Sequence, residues 1–283
     1  MLAQQLVRDG DLASALKELQ GQVRKDPSSA RLRVFLFQLL CVMGEWPRAL
    51  TQLNVAAELD AATLPMAQTY RAAIQCEALR ADIFNGTRAP LIFGEPPAWL
   101  APLLQALQHD EGDPELAAAL RGQAFDAAPA SAGSIDGQRF EWLADADGRL
   151  GPVVEAIVNG RYFWIPMQRI GRIELEPPAD LRDSVWTPAS FTWTNGAQSV
   201  GLIPTRYNDT VGRGDDGLLM GRRTEWIEDG PLAGHGLGQR MLVTDAGEFA
   251  LMEVRSIEFD AVPEPESAPE SAPDFEPDTA RHD

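Results

Sequence analysis

The chain has 283 residues, with 42 acidic side chains against 24 basic ones and a net charge of −18. That balance excludes a general affinity for nucleic acid or anionic lipid, both of which need a basic face. Hydrophobic residues make up 45% of the chain, enough for a real core in one or two domains.

The first 128 residues are rich in Ala, Leu and Gln and read as helices. Gly10, Ala15, Leu16 and Leu19 recur 34 residues later as Gly44, Ala49, Leu50 and Leu53, and Pro27 closes the first unit. Thirty-four residues is the tetratricopeptide period. The glycines suit left-handed helix ends, the alanines a close helix contact, and the leucines the groove between units. Leu32, Phe35, Leu36, Leu39, Leu40 and Met43 fall at spacings of three and four, one buried helical face. Ser28 or Ser29 can cap its start, Gly44 can end it, and Pro47 suits the first turn of the next helix. Helix pairs are expected near 2–24 and 30–58, with further helices near 63–84, 97–108 and 113–126. Cys41 and Cys76 lie in apolar helical stretches and are expected as buried free thiols, since two cysteines cannot make a disulfide framework. The opening MLAQQLVRDGDL has no basic stretch ahead of an apolar run, which predicts no signal peptide. No window is long and apolar enough for a membrane span, and a cytoplasmic location is expected.

Residues 134–260 hold five of the seven tryptophans and many Gly and Pro, and read as strands and turns. Asn159-Gly160 divides VVEAIV from RYFWIP, and Asn195-Gly196 divides SFTWT from AQSVGLI. Both are expected as type I′ hairpin turns, with positive φ at both turn residues. Asp245-Ala246-Gly247 suggests a third hairpin, and Asp136-Gly137 a further turn. The expected fold is α+β in two domains. A tetratricopeptide-like all-α array over 1–128 precedes a mainly-β, barrel-like or sandwich domain over 134–260. The last 23 residues, 261–283, are rich in Pro, Glu and Ser and are expected to be a disordered acidic tail. The formal charge divides as −4 over 1–133, −7 over 134–259 and −7 over 260–283, so the tail inflates the acidity of the whole.

Chemical motifs are sparse. Histidines occur only at positions 109, 235 and 282, and no Cys/His spacing suggests zinc. Neither a phosphate-binding glycine loop with its lysine nor a nucleophile elbow is present. Gly234-His235-Gly236-Leu237-Gly238 lacks a strand before it and a helix after it, and reads as a flexible loop. Asp145-Ala146-Asp147-Gly148 is a fragment of a calcium loop without its closing glutamate, and reads as a turn. Asp215-Asp216 and Glu228-Asp229 read as solvated loop charges. No catalytic, cofactor-binding or metal-binding residue is assigned, and no cofactor is expected.

Arginine beside aromatic and acidic residues is the more unusual feature of the β region, as in Asp180-Leu181-Arg182-Asp183, Arg206-Tyr207, Arg222-Arg223-Thr224-Glu225-Trp226 and Gln239-Arg240. Guanidinium forks match carboxylates and stack on rings. Two readings stay open: internal ion pairs with tryptophan packing, or a polar recognition surface for a protein partner. On the second reading the candidate partner-binding residues are Arg182, Arg206, Tyr207, Trp226 and Arg240. An enzyme of unknown reaction, with a site of Arg and carboxylates in the β domain, is the rival class.

The segments WLADADGRLGP (142–152), IVNGRYFWIP (157–166), PADLRDSVW (178–186), IPTRY (203–207), TEW (224–226) and GQR (238–240) together resemble the C-terminal domain of the ImpE/TagJ family of type VI secretion accessory proteins. The helical front is similar to that family's tetratricopeptide-like N-terminal half; the acidic tail departs from the pattern. The resemblance implies a cytoplasmic, non-catalytic adaptor. Its implied partner is the small, TssB-type subunit of the contractile sheath, contacted near that subunit's N-terminal helix. The ClpV-type ATPase that dismantles the sheath is the implied functional neighbour. The resemblance carries no catalytic residue and leaves the oligomeric state open.

Overall fold

The computed structural model describes residues 2–228 and 234–260. The acidic tail and the tip of the 226–236 hairpin lie outside the described residues.

The helical front begins with two helix pairs: α1 (Leu2–Asp9) with α2 (Leu12–Lys25), and α3 (Ala30–Val42) with α4 (Trp46–Leu59). The 34-residue repeat is visible in backbone hydrogen bonds. In the first unit Gly10 N–H donates to Val7 O at 3.1 Å and Asp11 N–H to Leu6 O at 2.9 Å. In the second, Gly44 N–H donates to Cys41 O at 3.1 Å and Glu45 N–H to Leu40 O at 2.9 Å. Both glycines are left-handed, at φ 83° and 73°. Each therefore ends its helix by satisfying carbonyls that would otherwise lack partners. Ala15, Ala49, Leu19 and Leu53 are fully buried between the helices. Asp11 and Ser29 cap the starts of α2 and α3 by accepting from the Ser14 and Leu32 amides.

Three further helices follow: α5 (Leu64–Phe84), α6 (Leu100–His109) and α7 (Pro114–Ala127). A short strand, β1 (Leu91–Ile92), lies between α5 and α6. The strands after α7 are β2 (Gly133–Ile135), β3 (Gln138–Phe140), β4 (Leu143–Asp145), β5 (Val153–Val158), β6 (Arg161–Pro166), β7 (Ile170–Leu175), β8 (Trp186–Trp193) and β9 (Gln198–Pro204). A one-turn helix, α8 (Asp216–Leu219), precedes β10 (Thr224–Trp226), β11 (Gly236–Gly238), β12 (Met241–Thr244), β13 (Gly247–Ala250) and β14 (Ser256–Phe259).

The strands form a nine-stranded sheet in the order β1-β6-β5-β9-β8-β7-β14-β2-β3, a three-stranded sheet β13-β12-β4, and the ribbon β10-β11. All pairs are antiparallel except β1 with β6. The sheets are open, so the barrel form of the expected β region is not adopted: β1 and β3 remain as unpaired edges.

The hairpin turns follow their sequences with one difference. Asn159 and Gly160 both take positive φ, 51° and 72°, as a type I′ turn requires, and so do Asp136 and Gly137. At 195–196 only Gly196 is left-handed, at φ 80°. There Asn195 Oδ1 accepts from the Ala197 amide at 3.0 Å, and that side-chain bond supports a longer loop than the expected two-residue turn. The Gly234–Gly238 stretch also differs from expectation. Gly236–Gly238 is a strand paired to β10, and a Cβ on Gly236 would overlap the Tyr207 ring.

β5 shows how the two halves join. All six of its residues are buried. Val153 and Ile157 belong to an apolar core continuous with the helices, whereas Val154, Ala156 and Val158 belong to a second core on the other face of the sheet. The alternation is the period of two of a strand, here covered on both sides. Trp164 and Trp186 extend the first core under α4 and α5: Trp186 packs on Trp46 and Tyr70 at centroid distances of 5.9 and 5.7 Å.

Candidate functional site

Glu155 lies on the helix-facing side of β5, between Val153 and Ile157. A carboxylate there is tolerated only if it is paired and hydrogen-bonded. Arg80 from α5 supplies the first partner: Nε donates to Glu155 Oε1 at 2.6 Å and Nη2 to Oε2 at 3.1 Å. Arg240 supplies the second, donating to both Glu155 and Asp145. Tyr162 O–H also donates to Glu155, and Trp164 Nε1–H donates to the Tyr162 oxygen at 2.9 Å. Burial pushes the Glu155 carboxyl up, but the two guanidiniums outweigh it and hold it at about 2. For Asp145 burial wins; Arg240 opposes it and the neighbouring Asp147 adds to it, leaving the group raised to about 6.

A second knot adjoins the first. Arg149 donates to Asp147 through Nε at 2.9 Å and to Asp209 through Nη1 at 2.7 Å. Gly236 N–H donates to Asp147 Oδ2 at 3.2 Å. His235 lies between Asp209 and Asp110, the residue that follows α6. The Asp145–Asp147 fragment is thus occupied by arginines, and its carboxylates are ion-pair acceptors. Among the described residues no group of three or more His, Cys, Asp or Glu is placed to hold a metal ion.

The five candidate partner-binding residues separate into two sets. Arg206, Tyr207 and Arg240 are buried. Arg206 Nη1 donates to Val42 O at 2.6 Å and also to Leu219 O, so it caps the carboxyl end of α3 from the β region. Burial lowers its pKa to about 10, with Glu77 partly opposing, so it stays charged at neutral pH. Tyr207 O–H donates to Asp145 Oδ1 at 3.2 Å, and its oxygen accepts from the Met241 amide at 2.9 Å. Arg182 is partly exposed; it lies over the Tyr70 ring and pairs with Asp180. Trp226 is the exposed member, 40% accessible, with its ring 5.5 Å from that of Tyr207. The internal reading of the Arg-and-aromatic pattern therefore accounts for three of the five. Glu155 and Arg80, which complete the network, were not singled out from sequence, and Asp145 was singled out only as part of a calcium-loop fragment read as a turn; a glutamate inside the apolar run VVEAIV was the available signal.

A convergent set of Arg, carboxylate and Tyr groups could also describe a catalytic centre. Around Arg80, Arg206 and Tyr207 there is no room for substrate: the cavity lined by them with Glu77, Val185, Asn208 and Val211 holds about 10 Å³, the space of one water, and of the network only Asp145 reaches a larger cleft, the one beside β4. The arrangement joins α3 and α5 to β5 and to the 206–240 segments.

Three larger concavities are open to solvent. One groove of about 330 Å³ runs between α2, α3 and α4, with Val23, Leu36 and Leu40 as an apolar floor and Gln20, Arg24, Arg48, Thr51 and Gln52 around it. A second, of about 440 Å³, lies between α1, α3 and the 179–181 turn, over Val7, Val34 and Phe35. A third, of about 400 Å³, lies between the end of α7 and β4 and includes Phe125 and Trp142. No helix among the described residues is long and apolar enough to cross a membrane.

Comparison with known proteins agrees with this division. Residues 6–74 match the tetratricopeptide repeat family and residues 137–258 match the ImpE protein family. The type VI secretion system accessory component TagJ of Pseudomonas aeruginosa is 56% identical over 261 residues, covering 92% of each chain. The crystal structure of protein VPA1032 from Vibrio parahaemolyticus superposes with a TM-score of 0.83 at 24% identity, covering 92% of this chain and 98% of that one, a likeness of fold.

Proposed function

The chain belongs to the ImpE/TagJ family of type VI secretion accessory proteins, and on that premise we propose that it is an adaptor for the secretion sheath. It binds the amphipathic N-terminal helix of the small sheath subunit and so modulates sheath assembly or its disassembly by the ClpV-type ATPase. The groove between α2, α3 and α4 carries this reading. Stacked helix pairs leave a concavity there whose apolar floor and polar rim match one face of an amphipathic helix. The Arg-and-Trp face of the β region is a weaker choice, because Arg206, Tyr207 and Arg240 are buried and already bonded. The buried ionic network favours a binding protein over an enzyme, since its arginines and carboxylates are paired with one another.

The test is a titration of the purified full chain with the sheath subunit's N-terminal peptide at low and high salt. Apolar anchoring in the groove gives an affinity that changes little with salt, whereas exposed charge pairs are screened over about 8 Å at physiological ionic strength. Absence of binding to both the peptide and the intact subunit, with the protein folded, overturns the proposal.

A further inference from the structure

The groove between α1, α3 and the 179–181 turn differs from the other concavities in its charge. Its floor is apolar, with Val7, Val34, Phe35 and Leu181, and Arg8 and Arg31 line it as well. Both arginines are exposed, and neither makes an ion pair or hydrogen bond with a described residue. The acid in the lining, Asp180, is already paired with Arg182. In the groove between α2, α3 and α4, by contrast, Arg48 is paired with Glu45. Two unneutralised guanidiniums beside an apolar floor call for an acidic segment with an apolar anchor. The chain itself carries one. Residues 261–283 hold seven acids against one arginine, and their aromatic residue, Phe275, stands in the run Asp274-Phe275-Glu276-Pro277-Asp278. The reach is sufficient. Ser256 on β14 lies opposite Glu174 on β7. The path from Asp260 back to Ser256, across to Glu174 and on to Ala179 in the groove wall is therefore at most about 40 Å, at about 3.6 Å per residue and about 5 Å between strands. The run from Asp260 to Phe275 spans about 45 Å at about 3.1 Å per residue, the reach of a Pro-rich segment.

We infer that the acidic segment around Phe275 docks in this groove of its own chain. The Phe275 ring packs on the floor beside Val34 and Phe35, and the flanking carboxylates of Asp274 and Glu276 neutralise Arg8 and Arg31. A segment too acidic to bury a core of its own is held by a surface that supplies both the opposite charge and the apolar contact. Because the two are joined in one chain, the contact forms at an effective concentration on the order of 1 mM, so a weak intrinsic affinity is enough. An acidic segment of another protein then meets an occupied groove and must displace the tail. The site lies apart from the groove between α2, α3 and α4 and does not depend on the sheath reading.

The test is a titration, by fluorescence anisotropy, of a fluorescein-labelled peptide of residues 269–283 into the full chain and into the full-chain variant Asp274→Asn/Phe275→Ala/Glu276→Gln. The peptide should bind the variant about tenfold more tightly than the wild type, because the altered tail no longer competes for the groove. High salt should weaken that binding, since exposed charge pairs are screened. Adding Arg8→Gln and Arg31→Gln, both at exposed positions, should weaken it about tenfold or more. Adding Thr51→Trp, in the other helical groove, should leave it unchanged. Equal affinity for the wild type and the tail variant would mean that the groove stands open to acidic segments of other proteins, and it overturns the inference. An affinity indifferent to Arg8→Gln/Arg31→Gln, or no binding to either protein, overturns it as well.

Discussion

Arg206 Nη1 donates to the carbonyl oxygen of Val42 at 2.6 Å, so the end of a tetratricopeptide helix is capped by a side chain 164 positions further along the chain. The same guanidinium reaches Leu219 O, and the Arg206 carbonyl accepts from Arg80 Nη2 at 2.8 Å. One residue thus ties α3, α5 and the 206–219 segment together. Arg206→Met should leave two buried acceptors, Val42 O and Leu219 O, unpaired, at about 1–3 kcal/mol each where desolvation is complete. Urea unfolding should show a loss of about 3 kcal/mol or more, with Arg206→Lys recovering part of it.

Glu155 sets the acid response. Its carboxyl is near 2 in the folded protein against an ordinary 4.5, so between those values the unfolded chain binds more protons than the folded one. Its contribution to stability is present above pH 4.5 and is lost as pH falls towards 2, on the order of 3 kcal/mol. Asp145, raised to about 6 from 3.8, has the opposite sign: it favours the fold below pH 3.8, and that benefit disappears as pH rises through 6. Glu155→Gln should lower stability at pH 7 by about 3–5 kcal/mol, because it leaves two buried arginines short of charge. Denaturant midpoints measured from pH 2 to 7 should also show a flatter acid limb in that variant.

The two repeat glycines should respond unequally to alanine. Both are left-handed, which costs a side chain about 1 kcal/mol. A Cβ on Gly10 meets only the ends of Arg222 and Met220, at 3.7 and 3.8 Å, whereas one on Gly44 overlaps Val211. Gly10→Ala should cost about 1 kcal/mol and Gly44→Ala clearly more. Adding Val211→Ala should restore part of the second loss and none of the first, as thermal melts of the four proteins would show.

Cys41 and Cys76 are buried free thiols. Burial pushes the Cys41 thiol far up and Cys76 to about 11, so neither offers thiolate at neutral pH. Ellman's reagent should react with neither in the native protein and with both in guanidinium. Rapid native labelling of either would mean that the helical front opens.

The helical repeat and the hairpins were legible because each is a local demand. Gly10 and Gly44 end helices in a conformation only glycine holds cheaply, and Asn159-Gly160 fits one turn type. At Asn195 the same dipeptide formed a longer loop, because its side chain bonded the Ala197 amide instead. The ionic network was not legible. Arg80 and Glu155 are 75 positions apart and Arg80 and Arg206 126 apart, and no local pattern states which arginine faces inward. Arg206, Tyr207 and Arg240 lie beside exposed-looking acids and glycines in sequence, yet they complete a buried set. Trp142 and Phe125, brought together only by the packing of α7 on β4, carried no sequence signal of a shared cleft.

The adaptor account is tested most directly by isothermal titration of the sheath subunit's N-terminal peptide into the wild-type chain and into Thr51→Trp. Thr51 is exposed beside the groove floored by Val23, Leu36 and Leu40, so an indole there occupies the proposed seat without disturbing the core. The account predicts binding to the wild type, weakened about tenfold or more in Thr51→Trp, while both proteins melt alike. Equal affinity for the two proteins would contradict the groove as the binding surface, and no heat with either peptide or intact subunit would contradict the adaptor itself.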